Sequence, residues 1–308
     1  MLKSPREQFL NELARRYPSL RRVGPSKSLF EIPETRARIY IRYSKRHSHG
    51  KTFFGLRRID LQWLEGWHSL ICFIWDDQET PLLVPFSQFE AVFSSLAPAS
   101  DGQFKVQVYL EPDSTQLYIP NAGRFNVDEF FGWSELNIPV GPDTRSRADS
   151  LTHSQVQSLL CSIGFQKGNS VWCPQEDRAG LDWSIAKKAP LHNQLPALYQ
   201  SINPILSGVD VVWMKRGGGE LVALYEVEHT TSIYSGLLRF NDVRLVSPDL
   251  CPRFSIIAKE GRRALYGRQI VRPTFQRSGL ADVCTFMEYG NVLDWYEKIT
   301  RGTFYEVG

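Results

Sequence analysis

Residues 208–231, GVDVVWMKRGGGELVALYEVEHTT, constrain this chain more than any other stretch. Two runs rich in β-branched and aromatic residues flank KRGGGE, and a glycine-rich turn between such runs makes a β-hairpin. Centring the turn on Gly218 sets Asp210 opposite Glu226. Directly opposed residues hold their Cβ atoms about 5 Å apart. Side chains alternate along a strand, so Glu226 and Glu228 share a face with each other and with Asp210. Three carboxylates on one face of an apolar hairpin repel one another, a costly arrangement unless water or a cation neutralises them. Acids at strand ends are often merely solvated, and Glu228 could belong to the cap of the following helix. Glu226 argues otherwise, because it stands between Tyr225 and Val227, where a strand should be apolar. Mg²⁺ takes oxygen ligands, using one or two carboxylates and keeping its remaining waters. The expected site is Mg²⁺ on Asp210 and Glu226, with Glu228 as a further ligand or a water-orienting group.

The rest of the chain is organised around this hairpin. Residues 141–150, GPDTRSRADS, are polar and carry helix breakers, and read as a linker. Before it, residues 1–140 alternate helical patterns at 5–17 and 87–96 with strand patterns at 37–44, 68–76, 80–86, 104–112 and 115–120. This predicts an α+β module with an antiparallel sheet. Ser4 is placed to cap the first helix, with Pro5 at its first position. After the linker, residues 151–308 begin with a helix at 151–165, whose apolar stripe is Leu151, Val156, Leu159, Leu160 and Ile163. A strand at 169–174, a helix at 192–202, the hairpin, a helix at 230–246 and strands at 254–259 and 282–289 follow. Helical material at 261–268 and 291–299 completes a mixed sheet flanked by helices.

The net charge of +3 is uninformative until it is divided. Residues 1–58 carry +11, residues 59–150 carry −10 and residues 151–308 carry +2. Such asymmetry is expected of a chain with one surface facing a polyanion. No apolar run reaches the roughly 18 residues of a membrane helix. The opening MLKSPREQFLNELARRYPSLRR lacks the apolar core of a secretory signal. The five cysteines include no C-x-x-C pair, so reduced thiols and a cytoplasmic location are expected, with no membrane partner.

The acids of the hairpin, with E-V-E-H leading directly into a helix, resemble the PD-(D/E)XK, restriction-endonuclease-like nucleases. Asp210 matches the first acid of that motif and Glu226 the second. Glu228 stands where most members have lysine, an E-x-E variant, so the group that deprotonates the attacking water is left open. The resemblance covers residues 151–308. It implies a restriction-endonuclease-like mixed sheet, Mg²⁺-dependent hydrolysis of double-stranded DNA leaving 5′-phosphates, a homodimer, and a cognate DNA methyltransferase. His229 and Gln157 are expected beside the site in supporting roles. Members often take an extra acid from the helix before the hairpin; here that helix offers none, and Gln157 is its most inward polar residue. Arg239 on the helix after the hairpin, and Lys259, Arg262 and Arg263 in a segment of net +5, are candidate phosphate contacts. A surface salt bridge for Arg239 and a solvated charged face for the others are the competing readings.

Residues 35–58 hold eight Lys/Arg and no acid, interleaved with Tyr40, Tyr43, Phe53 and Phe54. Strand alternation puts Arg36, Arg38, Tyr40 and Arg42 on one face, with Ile39 and Ile41 on the other. Together with Lys45, Arg46 and Lys51 these arginines are expected to bind DNA, reading bases or gripping phosphates. His47 and His49 lack the further ligands of a metal site. The sequence therefore predicts a restriction-type endonuclease with an N-terminal DNA-binding module. The alternatives are a degenerate nuclease fold that only binds, or a nuclease acting on RNA or a repair intermediate.

Overall fold

The computed structural model describes residues 4–24, 26–47, 50–137, 142–217, 219–230 and 232–300, the side chains of 142–145 excepted. His49, Gly218 and Thr231 lie outside the described residues. The chain divides into two compact units between residues 140 and 141.

In the first unit, Ser4 Oγ accepts from the Glu7 amide and the Glu7 carboxylate accepts from the Ser4 amide. This capping box starts α1 (Pro5–Arg16). There follow β1 (Arg21–Arg22), β2 (Leu29–Ile32), β3 (Ala37–Tyr43), β4 (Lys51–Arg57), α2 (Arg58–Gln62), β5 (His68–Ile74), β6 (Leu82–Pro85) and α3 (Phe86–Ser95). β7 (Gln103–Leu110), β8 (Thr115–Ile119) and β9 (Gly123–Asn126) come after them. These strands build two sheets rather than the expected single antiparallel one. The first has the order β1-β2-β3-β5-β6, and the second, β4-β7-β8-β9, is antiparallel throughout. β3 and β5 pair in parallel. Parallel neighbours need a crossover, and β4 with α2 supplies it. β3 is thereby central and covered on both faces. Ile39 and Ile41 pack with Phe9 and Leu13 of α1, while Tyr40 joins the opposite core with Phe54 and Phe73.

The second unit contains α4 (Pro142–Ser150), α5 (His153–Gln166), β10 (Asn169–Trp172), α6 (Asn203–Leu206), β11 (Val211–Lys215), β12 (Leu221–Glu228) and α7 (Ile233–Val246). β13 (Arg253–Ala258), α8 (Arg263–Ile270), α9 (Pro273–Arg277), α10 (Leu280–Val283), β14 (Cys284–Glu288) and α11 (Tyr289–Thr300) complete it. Residues 142–150, expected as a linker, are helical, and Arg147 of α4 pairs with Glu297 of α11 at 2.7 Å. The helix expected at 192–202 is reduced to a single turn at 197–199 ahead of the short α6. Proline cannot continue a helix interior, and Pro196 and Pro204 bracket this stretch. The mixed sheet has the order β10-β11-β12-β13-β14. Its first two pairings are antiparallel and its last two parallel. α7 covers one face, placing Leu237, Phe240 and Val243 against Val212, Leu224, Phe254 and Ile256. On the other, the Trp213 ring lies 4.6 Å from Tyr225 and 5.5 Å from Trp295 of α11, and its Nε1 donates to Leu160 O of α5. The overall class is α/β with α+β. Among the described residues no helix is long and apolar enough to cross a membrane.

Candidate active site

The hairpin register is the one its sequence requires. Val211 pairs with Tyr225 and Val212 with Leu224, and a bulge follows Trp213 near the turn. Continuing that register past the start of β11 brings Asp210 level with Glu226. Asp210 Oδ2 accepts from the Val227 amide at 2.6 Å, which ties the two strands at this end. β12, β13 and β14 run parallel, so their carboxyl ends lie together. In open α/β sheets that is where ligand sites form. Glu228, Ala258 and Glu288 occupy those ends in register.

Glu226 is wholly buried and Glu228 is 2% exposed. A buried carboxylate must be paired or must keep its proton. Burial, with Asp210 and Glu228 nearby adding negative potential, pushes the Glu226 carboxyl up to about 8 against the opposing pull of Arg239. Arg239 of α7 forks onto this carboxylate, Nε to Oε1 at 2.7 Å and Nη2 to Oε2 at 2.5 Å. Arg239 is therefore directed at the acid cluster, and those bonds raise its own pKa.

α5 approaches from the other side of the sheet. A capping box between Thr152 and Gln155 fixes its start. His153, next in the chain, has Nε2 3.5 Å from Asp210 Oδ2, and this contact raises its pKa. One turn on, Gln157 Nε2 donates to Asp210 O at 2.9 Å and to Asp177 Oδ2 at 3.0 Å. Gln157 thus holds the backbone of the first acid and recruits a further carboxylate. His229 faces Tyr289, its Nδ1 3.3 Å from the phenol oxygen. Burial lowers the pKa of His229 and raises that of Tyr289.

α7 packs unusually close to β12. A Cβ added at Gly236 would lie 2.8 Å from Glu228 Oε1 and 3.1 Å from Glu226 Cβ and Cγ. A mid-helix glycine costs about 1 kcal/mol relative to alanine. That cost is the one sequence signal that could have singled Gly236 out. Asp177 carries no comparable signal, because it enters from a loop after β10.

The basic candidates separate sharply. Arg38 is 2% exposed; it donates to Trp63 O, reaches Glu31 at 3.5 Å and stacks 3.7 Å from the Trp67 ring centre. Central placement of β3 buries it, which corrects the expectation that it meets DNA. Arg36 is not in the strand but in a turn before it, at φ 52°. Arg42 is half-buried beside Tyr40 and Lys51 half-buried beside Phe53, whereas Lys45 and Arg46 are exposed. In the second unit, Arg262 donates to Glu228 O and His229 O, Arg263 pairs with Glu288 at 2.9 Å, and Lys259 donates to Asp149 O. Arg262 and Arg263 brace the carboxyl ends of β12 and β14, while Lys259 ties the end of β13 to α4.

Asp210, Glu226 and Glu228 lie toward one end of the mixed sheet. Among the described residues no three His, Cys, Asp or Glu side chains make a ready-made metal cage. The geometry thus defines an α/β unit that gathers carboxylates at the carboxyl ends of its central strands. A family model described as the type II restriction enzyme NmeDI C-terminal domain matches residues 141–307, more than half of the chain, and the chain belongs to that family. The type II restriction enzyme NmeDI of Neisseria meningitidis serogroup C is 29% identical over 147 residues, 44% of this chain and 41% of the relative. The chain therefore aligns with less than half of that relative's length. No solved structure matches.

Proposed function

We propose that the second unit is a metal-dependent, restriction-type endonuclease that hydrolyses double-stranded DNA, with an E-x-E form of the PD-(D/E)XK core. The observation that carries this reading is Glu226, a wholly buried carboxylate flanked by two other acids on a hairpin of a restriction-enzyme family member. Asp210 and Glu226 would hold Mg²⁺, which when bound supplies charge to offset the scissile phosphate and acidifies an attacking water. Glu228, on the same face, orients that water. Gln157 fixes Asp210 through its carbonyl, and Arg262 fixes Glu228 and His229 through theirs. In the first unit Lys45, Arg46, Lys51 and Arg42 grip phosphates, and Arg38 is removed from that role. Two copies act at a two-fold site, since symmetry of enzyme and site go together. A cognate methyltransferase protects the host's own sites.

One observation favours a non-cleaving reading: Arg239 engages both oxygens of Glu226. Supercoiled plasmid incubated with the chain and Mg²⁺ decides between the two. Discrete fragments that vanish with Asp210→Asn and with Glu226→Gln support the endonuclease. Cleavage that survives both substitutions removes the site, and binding without cleavage by the parent chain establishes the binder. The plasmid fragments' ends, once sequenced, report site and stagger.

A further inference from the structure

The segment 259–277 carries six Lys/Arg against one acid. Lys259, Arg262 and Arg263 are committed to Asp149 O, to the Glu228 and His229 carbonyls and to Glu288. Arg268, Arg272 and Arg277 are exposed. Arg272 stands between α8 and α9, and its guanidinium carbon lies 4.6 Å from the centre of the Tyr234 ring. Its Nη1 donates to Gln269 Oε1 at 3.2 Å. Tyr234 is in the first turn of α7, the helix that follows β12 and its Glu228. The Tyr234 ring is itself held against Phe275 of α9, centroids 5.7 Å apart. Arg272 is thus seated at the first turn of α7, the helix that follows the carboxyl end of β12, and faces water.

A polyanion brought to three carboxylates needs compensating positive charge beside them. Arg239 is occupied by Glu226. An arginine laid on an aromatic ring is already partly ordered, so it loses little freedom when its fork takes a phosphate. We propose that Arg272, seated on Tyr234 and accompanied by exposed Arg268, grips a phosphate of the DNA backbone beside the carboxylate site. This rests on the endonuclease reading and assigns the grip to residues outside the acid cluster.

Binding of a labelled duplex is measured from low to moderate salt in the Asp210→Asn chain, with and without Arg272→Ala. The expected result is a loss of roughly five- to tenfold in affinity at about 0.1 M salt, with the log–log salt slope shallower by about 0.9. Arg272→Lys should keep the slope. Tyr234→Ala should weaken binding in the same direction, and Tyr234→Phe should not. An Arg272→Ala chain that is folded by circular dichroism and has unchanged affinity and slope overturns the assignment. If the parent chain still cuts plasmid in that case, the endonuclease reading survives alone. A parent chain that neither binds nor cuts DNA overturns both.

Discussion

Replacing one glycine by alanine at two places in this unit should give opposite outcomes. At Gly236 the added methyl would stand 2.8 Å from Glu228 Oε1 and 3.1 Å from Glu226 Cβ and Cγ. The ordinary limit for such contacts is about 3.4 Å, so Glu228 Oε1 must retreat by roughly 0.6 Å. It is the far end of a side chain, whereas Glu226 Cβ is fixed to the buried strand and must give by about 0.3 Å. Overpacking costs on the order of 1 kcal/mol here, and the better helix propensity of alanine returns about as much. Gly236→Ala should therefore keep its stability within about 1 kcal/mol of the parent, read from urea unfolding. Its cleavage should fall by about one to two orders of magnitude, because a misplacement approaching 1 Å in a positioned group costs up to about 10²-fold. At Gly164 the methyl would stand 2.4–2.7 Å from Nε1, Cε2 and Cδ1 of Trp213. That indole is buried between α5 and α11 and cannot swing away. Gly164→Ala should lose about 3 kcal/mol, at the upper end for overpacking. Gly236→Ala with undiminished cleavage would mean that Glu228 has no part in the chemistry. Gly236→Ala unfolded to the same extent as Gly164→Ala would mean that the backbone, not the carboxylate, bears the clash.

Arg38→Ala should destabilise the first unit by about 3 kcal/mol, since it strips a buried carboxylate of a partner and empties the space over Trp67. DNA affinity per folded molecule should be unchanged, and an exposed-arginine phenotype (intact stability, weaker binding) would refute its burial. Burial pushes the Glu226 carboxyl up to about 8 against the pull of its Arg239 fork, above the ordinary carboxylate value of the unfolded chain. The folded chain then binds more protons across that window, so without metal its stability should fall as pH rises from about 4.5 to 8. Mg²⁺ must displace that proton, so its apparent affinity by calorimetry should improve by up to tenfold per pH unit toward pH 8, then level off. A pH-independent affinity would show that Glu226 is not a ligand. Gln157→Glu replaces two donated hydrogen bonds with a carboxylate facing Asp177. It should cost about 2 kcal/mol without metal, and a neutral effect in thermal unfolding would show that the Asp177–Gln157–Asp210 chain does not hold.

The hairpin, its register and the face shared by its acids were legible because strand periodicity and turn chemistry are local, and short-range geometry decides them. The same locality made α1, with its Ser4 cap, and α7 readable. Long-range placement was not legible. The segment RARIYIRY alternates correctly, yet nothing in it says that α1 covers one face of β3 and a second core the other. Only the crossover through β4 and α2 makes β3 central, and that turns Arg38 from a surface cation into an internal brace. Charge in 259–277 was equally visible, but which arginines point inward depended on the carboxyl ends of β12 and β14, distant in sequence. The sequence by itself determined where the acids lie, because two adjacent strands and a turn suffice to gather them. Tertiary structure alone decided what surrounds them: Asp177 through Gln157, Arg239 on Glu226, and the bare backbone of Gly236. Those contacts join residues far apart in the chain, whose meeting follows from packing the helices onto the sheet.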